Sequence, residues 1–334
     1  MKKDLEILKD YLKEEDILLL CHHNADPDAV CAAIGLKYLA NSFSKKKLKE
    51  KNVRISADSV SKLSRAILTE LNEDIEIIEY PKLPKTVFLI DTSSLNQITV
   101  NKKDFLNSDV ILIDHHRKTD LSSLCKVLIV DENSTSTCEI VSDIFREMNI
   151  YPPKNIRTAL LLGILYDTKH LKLAKESTFN TISWLIKEIS FQKILYLLSQ
   201  ESDPSKRIAH LKSCSRMEII DLGNYVISIS NASSHEASCA KTIVSIGADV
   251  SFVVAARKKD KEIRVSVRSR KSVSKKVHMG SLMEKVAKKL GGEGGGHEEA
   301  AGLNAPWNKE ISKEEAVKEV LSICIETLKE ELRC

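Results

Sequence analysis

Histidine and aspartate side chains are concentrated in the segment from His22 to Asp28, which reads His-His-Asn-Ala-Asp-Pro-Asp. His22, Asp26 and Asp28 bring one imidazole and two carboxylates close together. Carboxylates this near to one another repel unless a cation neutralises them. Oxygen ligands with a single imidazole suit Mn²⁺ or Mg²⁺ better than a thiolate-preferring ion. The segment therefore predicts a divalent metal site, in which Asn24 supports the ligands without binding the ion.

Two further aspartates each follow a run of four apolar residues. Asp91 follows residues 87–90, and Asp114 follows residues 110–113, just as His22 comes shortly after the apolar run 17–20. Continuous apolar runs of this kind are typical of parallel strands that are covered on both faces. The carboxyl ends of parallel strands share one edge of the sheet, where open α/β sheets bind ligands. We therefore expect these acidic residues to meet at that edge.

The second of these runs continues as Asp114-His115-His116. Tandem histidines project in different directions, so one can bind a metal while the other faces a substrate. Asp114 is placed to orient an imidazole by a hydrogen bond. Asp167 follows a strongly apolar predicted helix, and a buried carboxylate there requires a partner such as a cation. These residues extend the predicted metal site.

The pattern of apolar runs and helix signals predicts an α/β fold with two domains. The first domain, residues 1–191, is expected to contain a mostly parallel sheet with helices on both faces. A helical linker over 192–215 leads to a smaller α+β domain at 216–334. Its strands are predicted at 225–230, 250–256 and 262–269, and its helices at 237–246, 281–290 and 313–332.

A glycine-rich stretch near the C-terminus forms a second candidate site. Five glycines lie between Gly291 and Gly296 and are followed by His297. Such a run cannot be an ordinary helix interior. We expect its N–H groups to form an anion-binding nest, followed by a short helical turn over 298–302. Strand alternation places four side chains on one face of the preceding strand, and the guanidinium groups among them are candidates for phosphate contacts: Arg264, Ser266, Arg268 and Arg270.

The charge of the chain is distributed unevenly. Residues 205–334 hold 23 of the 51 basic and 17 of the 47 acidic residues, a net charge of +6, whereas the rest of the chain has −2. An acidic metal-binding half and a basic half fit an anionic substrate. The apolar runs are too short to span a bilayer, and the N-terminus lacks the apolar core of a signal peptide. We therefore expect a cytoplasmic protein without membrane contact.

Together these motifs resemble the DHH phosphoesterase family, and they follow its order along nearly the whole chain. HxNxDxD lies at 22–28, a strand-ending aspartate at Asp91, DHH at 114–116 and an Asp-Thr pair at 167–168. The GGGH sequence at 294–297, with an Arg-Ser strand before it, resembles the family's associated C-terminal domain. Two departures from the family pattern are Pro27, where glycine is frequent, and Lys169, where small residues are usual.

The resemblance implies two Mn²⁺ ions per active site, with Mg²⁺ or Co²⁺ as substitutes. It implies that one ion is held by His22, Asp26 and Asp91, and the other by Asp28, Asp91, His115 and Asp167. Asp91 would bridge the ions, and Asp91, His115 and His116 would be the catalytic residues. The implied substrate-binding residues are His116, Arg268, Ser269, Gly294, Gly295, Gly296 and His297.

The function implied by the resemblance is a manganese-dependent phosphodiesterase that forms 5′-mononucleotides by two-metal hydroxide attack. The expected substrates are short RNA (nanoRNA) and dinucleotides, with linear pApA and cyclic di-AMP as candidates. The family also implies a homodimer.

Four alternatives remain open. A RecJ-like single-strand 5′–3′ exonuclease would favour a further domain with stacking aromatics. A phosphatase acting on 3′-phosphoadenosine 5′-phosphate and a non-catalytic nucleotide-binding partner are also compatible with the motifs. An inorganic pyrophosphatase shares the first-domain motifs, but the GGGH domain argues against it.

Overall fold

The computed structural model of the chain describes residues 2–43, 51–92, 94–101, 103–117, 120–199, 204–257, 261–307 and 311–332. The chain divides into two compact units, Met1–Gln200 and Glu201–Cys334. This division falls inside the segment 192–215 that the sequence assigned to a helical linker. Helix Phe191–Leu198 precedes it and helix Pro204–Ser215 follows it.

The first unit alternates strands and helices. Its strands are β1 (Asp16–Cys21), β2 (Asn52–Ala57), β3 (Glu76–Ile77), β4 (Thr86–Ile90), β5 (Asp109–Asp114) and β6 (Val127–Val130). Its α-helices are α1 (Lys2–Tyr11), α2 (Pro27–Ser42), α3 (Lys62–Leu71), α4 (Thr137–Glu147), α5 (Lys154–Asp167), α6 (Glu176–Leu185) and α7 (Phe191–Leu198). Short 3₁₀ helices span Leu95–Gln97, Asp104–Asn107 and Asp120–Leu124.

The described strands of the first unit form one parallel sheet in the order β3-β2-β1-β4-β5-β6. This is the order of a doubly wound α/β fold. The chain builds outwards from β1 to β3 and then returns to place β4 on the other side of β1. The switch between β1 and β4 opens a crevice at the carboxyl ends of these strands, which is the usual ligand position in such sheets.

Both faces of the sheet are covered. Alternate residues of β1 separate into two cores, with Ile17 and Leu19 in one and Leu18 and Leu20 in the other. The first core also contains buried residues of the α-helices, whereas the second is completed by Ile98 and neighbouring residues in and around the 3₁₀ helices. Burial on both faces explains why the strands are continuously apolar rather than alternating.

The second unit is built around a mixed sheet. Its strands are β7 (Glu218–Asp221), β8 (Val226–Asn231), β9 (Val250–Arg257), β10 (Glu262–Ser269), β11 (Glu293–Gly296) and β12 (Ala300–Pro306). Its helices are α8 (Pro204–Ser215), α9 (Glu236–Ile246), α10 (Lys271–Ser274), α11 (Met279–Lys289) and α12 (Lys313–Leu332). The described strands lie in the order β11-β12-β10-β9-β8-β7, and β8 with β9 is the parallel pair.

The predicted fold class is confirmed: a parallel α/β unit is followed by a smaller α+β unit. The cysteines of the described residues are free and mostly buried, in agreement with the absence of a CxxC pair. No helix within the described part of the chain is both long enough and apolar enough to cross a membrane.

Candidate metal centre

The predicted metal ligands of the first unit meet at the carboxyl-terminal edge of the parallel sheet. His22 follows β1, Asp91 follows β4, and Asp114 is the last residue of β5. Because β1 and β4 border the switch point, His22 and Asp91 lie on the two sides of the crevice. Asp167, the last residue of α5, reaches the same place through its contact with His115.

One group of ligand atoms comes from His22, Asp26 and Asp91, and these atoms all lie within 4.8 Å of one another. His22 Nε2 is 3.7 Å from Asp26 Oδ1 and 3.8 Å from Asp91 Oδ2. His22 Nδ1 lies 2.8 Å from the backbone oxygen of His23. A carbonyl oxygen can only accept, so Nδ1 donates and Nε2 is the nitrogen that faces the carboxylates.

A second group comes from Asp28, His115 and Asp167. His115 Nε2 is 3.1 Å from Asp167 Oδ2 and 3.5 Å from Asp91 Oδ1. This nitrogen is buried and makes no regular hydrogen bond among the described residues, although Asp167 Oδ2 lies close to it. Buried polar atoms are rarely left unpaired in folded proteins. An unpaired imidazole nitrogen that faces carboxylates fits a metal ligand.

Asp28 is held by the N-terminus of α4. Its Oδ2 accepts a hydrogen bond of 2.6 Å from the N–H of Thr137, and its Oδ1 accepts one of 3.0 Å from the N–H of Cys138. The helix dipole favours a carboxylate at this position. Nevertheless, burial, followed by the charges of Asp91 and Asp167, raises the pKa of Asp28 well above its usual range. The α4 N-terminus therefore orients this carboxylate without fully compensating its charge.

Asp91 belongs to the first group and lies next to the second, because its Oδ2 faces His22 and its Oδ1 is 3.5 Å from His115 Nε2. Thr137 Oγ1 donates a hydrogen bond of 2.9 Å to Oδ1. The φ of Asp91 is +54°, and its N–H donates to Ile113 O at 3.0 Å. The left-handed region is uncommon for residues other than glycine, and such strain clusters at functional sites. The fold thus holds Asp91 in a strained conformation between the two groups.

The charges of the site indicate what it binds. Burial and then the charge of Asp26 raise the pKa of Asp91 to about 7. Burial alone would lower the pKa of His22, but the contacts with Asp26 and Asp91 outweigh it and raise the pKa to about 9. The pKa of His115 is also raised, because the neighbouring Asp167 and Asp91 outweigh its burial. The cluster therefore binds protons tightly when it lacks another cation.

The residues present fit two divalent cations. Oxygen-rich sets with one imidazole each are the ligands that Mn²⁺ and Mg²⁺ prefer. The residues that would hold one cation are His22, Asp26 and Asp91, and those that would hold the other are Asp28, Asp91, His115 and Asp167.

His116 is oriented by Asp114. Asp114 Oδ1 lies 2.7 Å from His116 Nδ1 and also accepts from the His116 N–H at 3.1 Å. The contact with Asp114 is the main cause that raises the pKa of His116 to about 9. Asn24, predicted to support the ligands, has a φ of +52° and donates its N–H to Ser59 Oγ at 2.9 Å. It therefore shapes the loop after His22.

In the second unit, the structure brings Arg268 and Ser269 next to the turn after the glycines. Arg268 on β10 pairs with Ala300 on β12, and the Ser269 N–H donates to Glu299 O at 3.0 Å. Arg264, Ser266 and Arg268 share one face of β10, as predicted. Arg270 was wrongly placed on that face, because β10 ends at Ser269 and Arg270 caps helix α10.

The glycine run forms a strand rather than the predicted nest. Gly294, Gly295 and Gly296 lie in β11 and pair with β12. A turn follows, in which the His297 N–H donates a hydrogen bond of 2.8 Å to Ala300 O. The helical turn predicted at 298–302 is also wrong, since residues from Ala300 onwards pair with strands on both sides. Close packing explains the glycines: a Cβ on Gly294 would lie 2.6 Å from a backbone oxygen of α11.

Comparisons with known proteins match most of the chain. The model of the DHH family, N-terminal domain, matches residues 16–164, and that of the DHHA1 domain matches residues 224–330. Uncharacterized protein MJ0988 of Methanocaldococcus jannaschii is 62% identical over 98% of each chain. The chain belongs to the DHH family. The resemblance predicted from the motifs is confirmed.

Other relatives of this DHH-family chain are less similar to it in sequence. A probable manganese-dependent inorganic pyrophosphatase of Archaeoglobus fulgidus is 28% identical over 48% of this chain and 52% of its own length. The chain thus spans about half of that relative. A solved exopolyphosphatase-related protein from Bacteroides fragilis has a TM-score of 0.63 at 17% identity and covers 99% of this chain and 98% of its own. At this identity the likeness shows the fold alone.

Sequence reasoning missed the contribution of α4 to this DHH site. Helix α4 begins at Thr137, and the Ser136 side chain caps it by accepting a hydrogen bond from the Glu139 N–H. The bonds from Thr137 and Cys138 to carboxylates more than forty residues away were not predicted. The sequence feature that could have predicted these bonds is a helix that starts soon after a predicted strand. Such a helix places its free N–H groups at the ligand-binding edge of the sheet.

Proposed function

We propose that this DHH-family chain is a divalent-metal-dependent phosphodiesterase that hydrolyses short oligoribonucleotides and dinucleotides to 5′-mononucleotides. Linear pApA and cyclic di-AMP are the proposed dinucleotides, and Mn²⁺ is the proposed metal. The observation that carries the proposal is a pair of adjacent ligand groups, with Asp91 in the first group and 3.5 Å from His115 Nε2 of the second. Sites of this kind clamp the attacking and leaving oxygens of a phosphoryl transfer.

The proposed chemistry divides between the metals and the protein. When bound, two divalent cations would polarise the phosphoryl oxygens and lower the pKa of the attacking water. The Nδ1 of His22 is occupied by a backbone oxygen, which keeps its Nε2 turned to the carboxylates. Thr137 holds Asp91 in place. His116 is fixed by Asp114 and is 46% exposed, so it can donate a hydrogen bond to a phosphate oxygen.

Hydrolysis in this proposal adds water oxygen to phosphorus and breaks the bond between phosphorus and the leaving ribose oxygen. The products are a 5′-mononucleotide and a free ribose hydroxyl. In the second unit, Arg268, Ser269 and His297 are proposed to bind the substrate. Supporting this role, the guanidinium group of Arg268 is partly buried and guanidinium groups suit phosphate recognition.

The test is product analysis in the presence of Mn²⁺ with pApA, cyclic di-AMP, short RNA and long single strands. We expect fast turnover of dinucleotides and slower turnover as length grows. Asp91→Asn should abolish activity, whereas Asp74→Asn, a substitution at an exposed position, should preserve it. Faster degradation of long strands would support a RecJ-like exonuclease instead, and a lack of turnover would support a nucleotide-binding role.

Inorganic pyrophosphate hydrolysis is a second candidate activity. About half of the chain is similar to proteins named as probable manganese-dependent inorganic pyrophosphatases. The substrate panel should therefore include pyrophosphate. Turnover of pyrophosphate in preference to every dinucleotide would favour this second candidate.

A further inference from the structure

A glycine interrupts the apolar run of α5 one turn before Asp167. Gly163 is buried, and its neighbours along the helix, Leu162 and Ile164, are large and fully buried. Glycine in the middle of a helix is destabilising relative to alanine, so a glycine at this position requires a packing reason. Residues four apart lie on the same face of a helix. Gly163 therefore shares a face of α5 with Asp167, a candidate ligand of the second group.

Two other helices come too close to Gly163 for a side chain to fit. A Cβ at this position would lie 2.3 Å from Cys138 Sγ on α4, and 2.9 Å from Oδ1 and 3.2 Å from Cα of Asp28 on α2. Ordinary van der Waals contact begins near 3.4 Å, so the shortest of these approaches is too close by about 1 Å. The Cα of Asp28 belongs to the backbone and cannot move away by a change of rotamer. The close packing of α2, α4 and α5 therefore depends on the missing side chain of Gly163.

This packing also fixes the carboxylate of Asp28. Its two oxygens accept hydrogen bonds from the first N–H groups of α4, and α5 lies against Oδ1 at Gly163. Asp28 is fully buried, and a close-packed interior leaves its side chain little room to turn. One turn further along α5, Asp167 completes a group in which the ligand atoms of Asp28, His115 and Asp167 lie within 4.8 Å of one another. The spacing of α5 and α2 at Gly163 therefore sets the spacing of two carboxylates in this group.

We propose that Gly163 is a positioning residue for the second of the two cations. Without a side chain at this position, α5 approaches α2 closely enough for Asp28 and Asp167 to face the same ion. A methyl group here would push the helices apart and widen the second ligand group, whereas the first group contains neither Asp28 nor Asp167. The inference rests on the metal centre of the proposed function, but it does not depend on which phosphate ester the protein hydrolyses.

The experiment measures Mn²⁺ binding to chelator-treated protein by isothermal titration calorimetry. We expect two binding sites in the wild-type protein. Gly163→Ala should raise the Kd of one site by about 10- to 100-fold, the usual effect of disturbing the groups that support metal ligands, and should leave the other Kd unchanged. At a Mn²⁺ concentration that fills both wild-type sites, the electron paramagnetic resonance spectrum of the variant should change from that of two magnetically coupled ions to that of a single ion.

Gly35→Ala is the matched control for a loss of packing alone. Gly35 lies on α2 in the same core, and its Cβ would meet the ends of two side chains, Val141 Cγ1 at 3.0 Å and Leu160 Cδ2 at 3.1 Å, rather than a candidate ligand. Gly35→Ala and Gly163→Ala should both lower the melting temperature, but Gly35→Ala should bind both cations with wild-type Kd values.

The double variant C138A/G163A lacks the sulfur atom at 2.3 Å, so part of the lost affinity should return. If Gly163→Ala does not fold, the same comparison is made between C138A/G163A and Cys138→Ala. The approaches to Asp28 remain in this double variant, so it should still bind one cation more weakly than Cys138→Ala does.

Wild-type Kd values at both sites of Gly163→Ala, or an equal loss of affinity at both sites, would overturn the proposal. Loss of the same cation in Gly35→Ala would overturn it as well. If the wild-type protein binds two Mn²⁺ ions but hydrolyses none of the substrates, the proposed function fails, while the Kd values of the variants still decide the role of Gly163. Fewer than two Mn²⁺ ions on the wild-type protein would refute both.

Discussion

Removal of divalent metals should make the first unit lose stability as the pH rises. Asp91 is buried, and its pKa is raised from 3.8 to about 7. A raised pKa means that the folded state binds the proton more tightly than the unfolded state. The resulting stabilisation is fully present below the unfolded pKa and is lost as the pH rises through the folded pKa. His22 and His116 act in the same direction at higher pH, since both have pKa values raised to about 9.

The size of the effect follows from the shift of Asp91. A pKa shift of this size lowers the free energy of unfolding of the metal-free protein by about 4 kcal/mol between pH 4 and pH 7. For a unit of roughly 200 residues, this translates into a decrease of about 10 °C in melting temperature. The pKa of Asp28 is raised as well, and it adds to the decrease in the same direction. Bound divalent cations replace the protons, so the gain in stability on adding Mn²⁺ should increase with pH.

The assay is differential scanning calorimetry of chelator-treated protein across this pH range, with and without Mn²⁺. The transition that moves on metal addition identifies the first unit. Asp91→Asn cannot ionise at this position, so the metal-free variant should melt at a higher temperature than metal-free wild type near pH 8. Asp74→Asn is the matched control at an exposed acidic position. A metal-free melting temperature that is constant or rises between pH 4 and pH 8 would refute the reasoning.

Three further predictions concern single side chains. Thr137→Val removes the hydrogen-bond donor to Asp91 Oδ1 and should lower kcat about tenfold at saturating Mn²⁺, whereas Thr137→Ser should retain most of it. Lys169 has a φ of +50°, so Lys169→Gly should stabilise the protein by about 1 kcal/mol in denaturant unfolding, because glycine relieves the left-handed strain. Gly294→Ala should destabilise by about 2 kcal/mol, because its Cβ would lie 2.6 Å from a backbone oxygen of α11. Gly295→Ala should cost less than about 1 kcal/mol, since its Cβ would meet its nearest neighbour at 3.7 Å.

The clustering of the candidate metal ligands could be predicted from the sequence, because strand position and chemistry coincide. A buried strand that ends in Asp91 places that carboxylate at a sheet edge whatever surrounds it. The same holds for His22 and for the Asp114-His115 pair. Parallel pairing then brings these ends together without further information. The shared face of Arg264 and Arg268 on β10 could also be predicted, because it depends only on the alternation of side chains along one strand.

Features that depend on distant contacts could not be predicted. The glycine run was interpreted as a nest because glycine permits many conformations, whereas pairing with β12 and close packing on α11 select a strand. The left-handed residues after Asp167 have no local signal, because lysine, histidine and leucine disfavour that region. The contact between Asp28 and the N-terminus of α4 joins residues more than a hundred positions apart.

These distant contacts explain how the site keeps its geometry before any cation binds. Each of three carboxylates is oriented by the protein: Asp26 accepts from the first N–H groups of α2, Asp28 from those of α4, and Asp91 from Thr137. Helix N-termini therefore hold two of the candidate ligands, and their dipoles reduce the repulsion among the carboxylates. Because these carboxylates are already positioned, a cation that bound them would pay little ordering cost. The free-energy cost of placing these carboxylates together falls on the metal-free protein. There, the buried carboxylates hold protons at pH values at which exposed carboxylates are ionised.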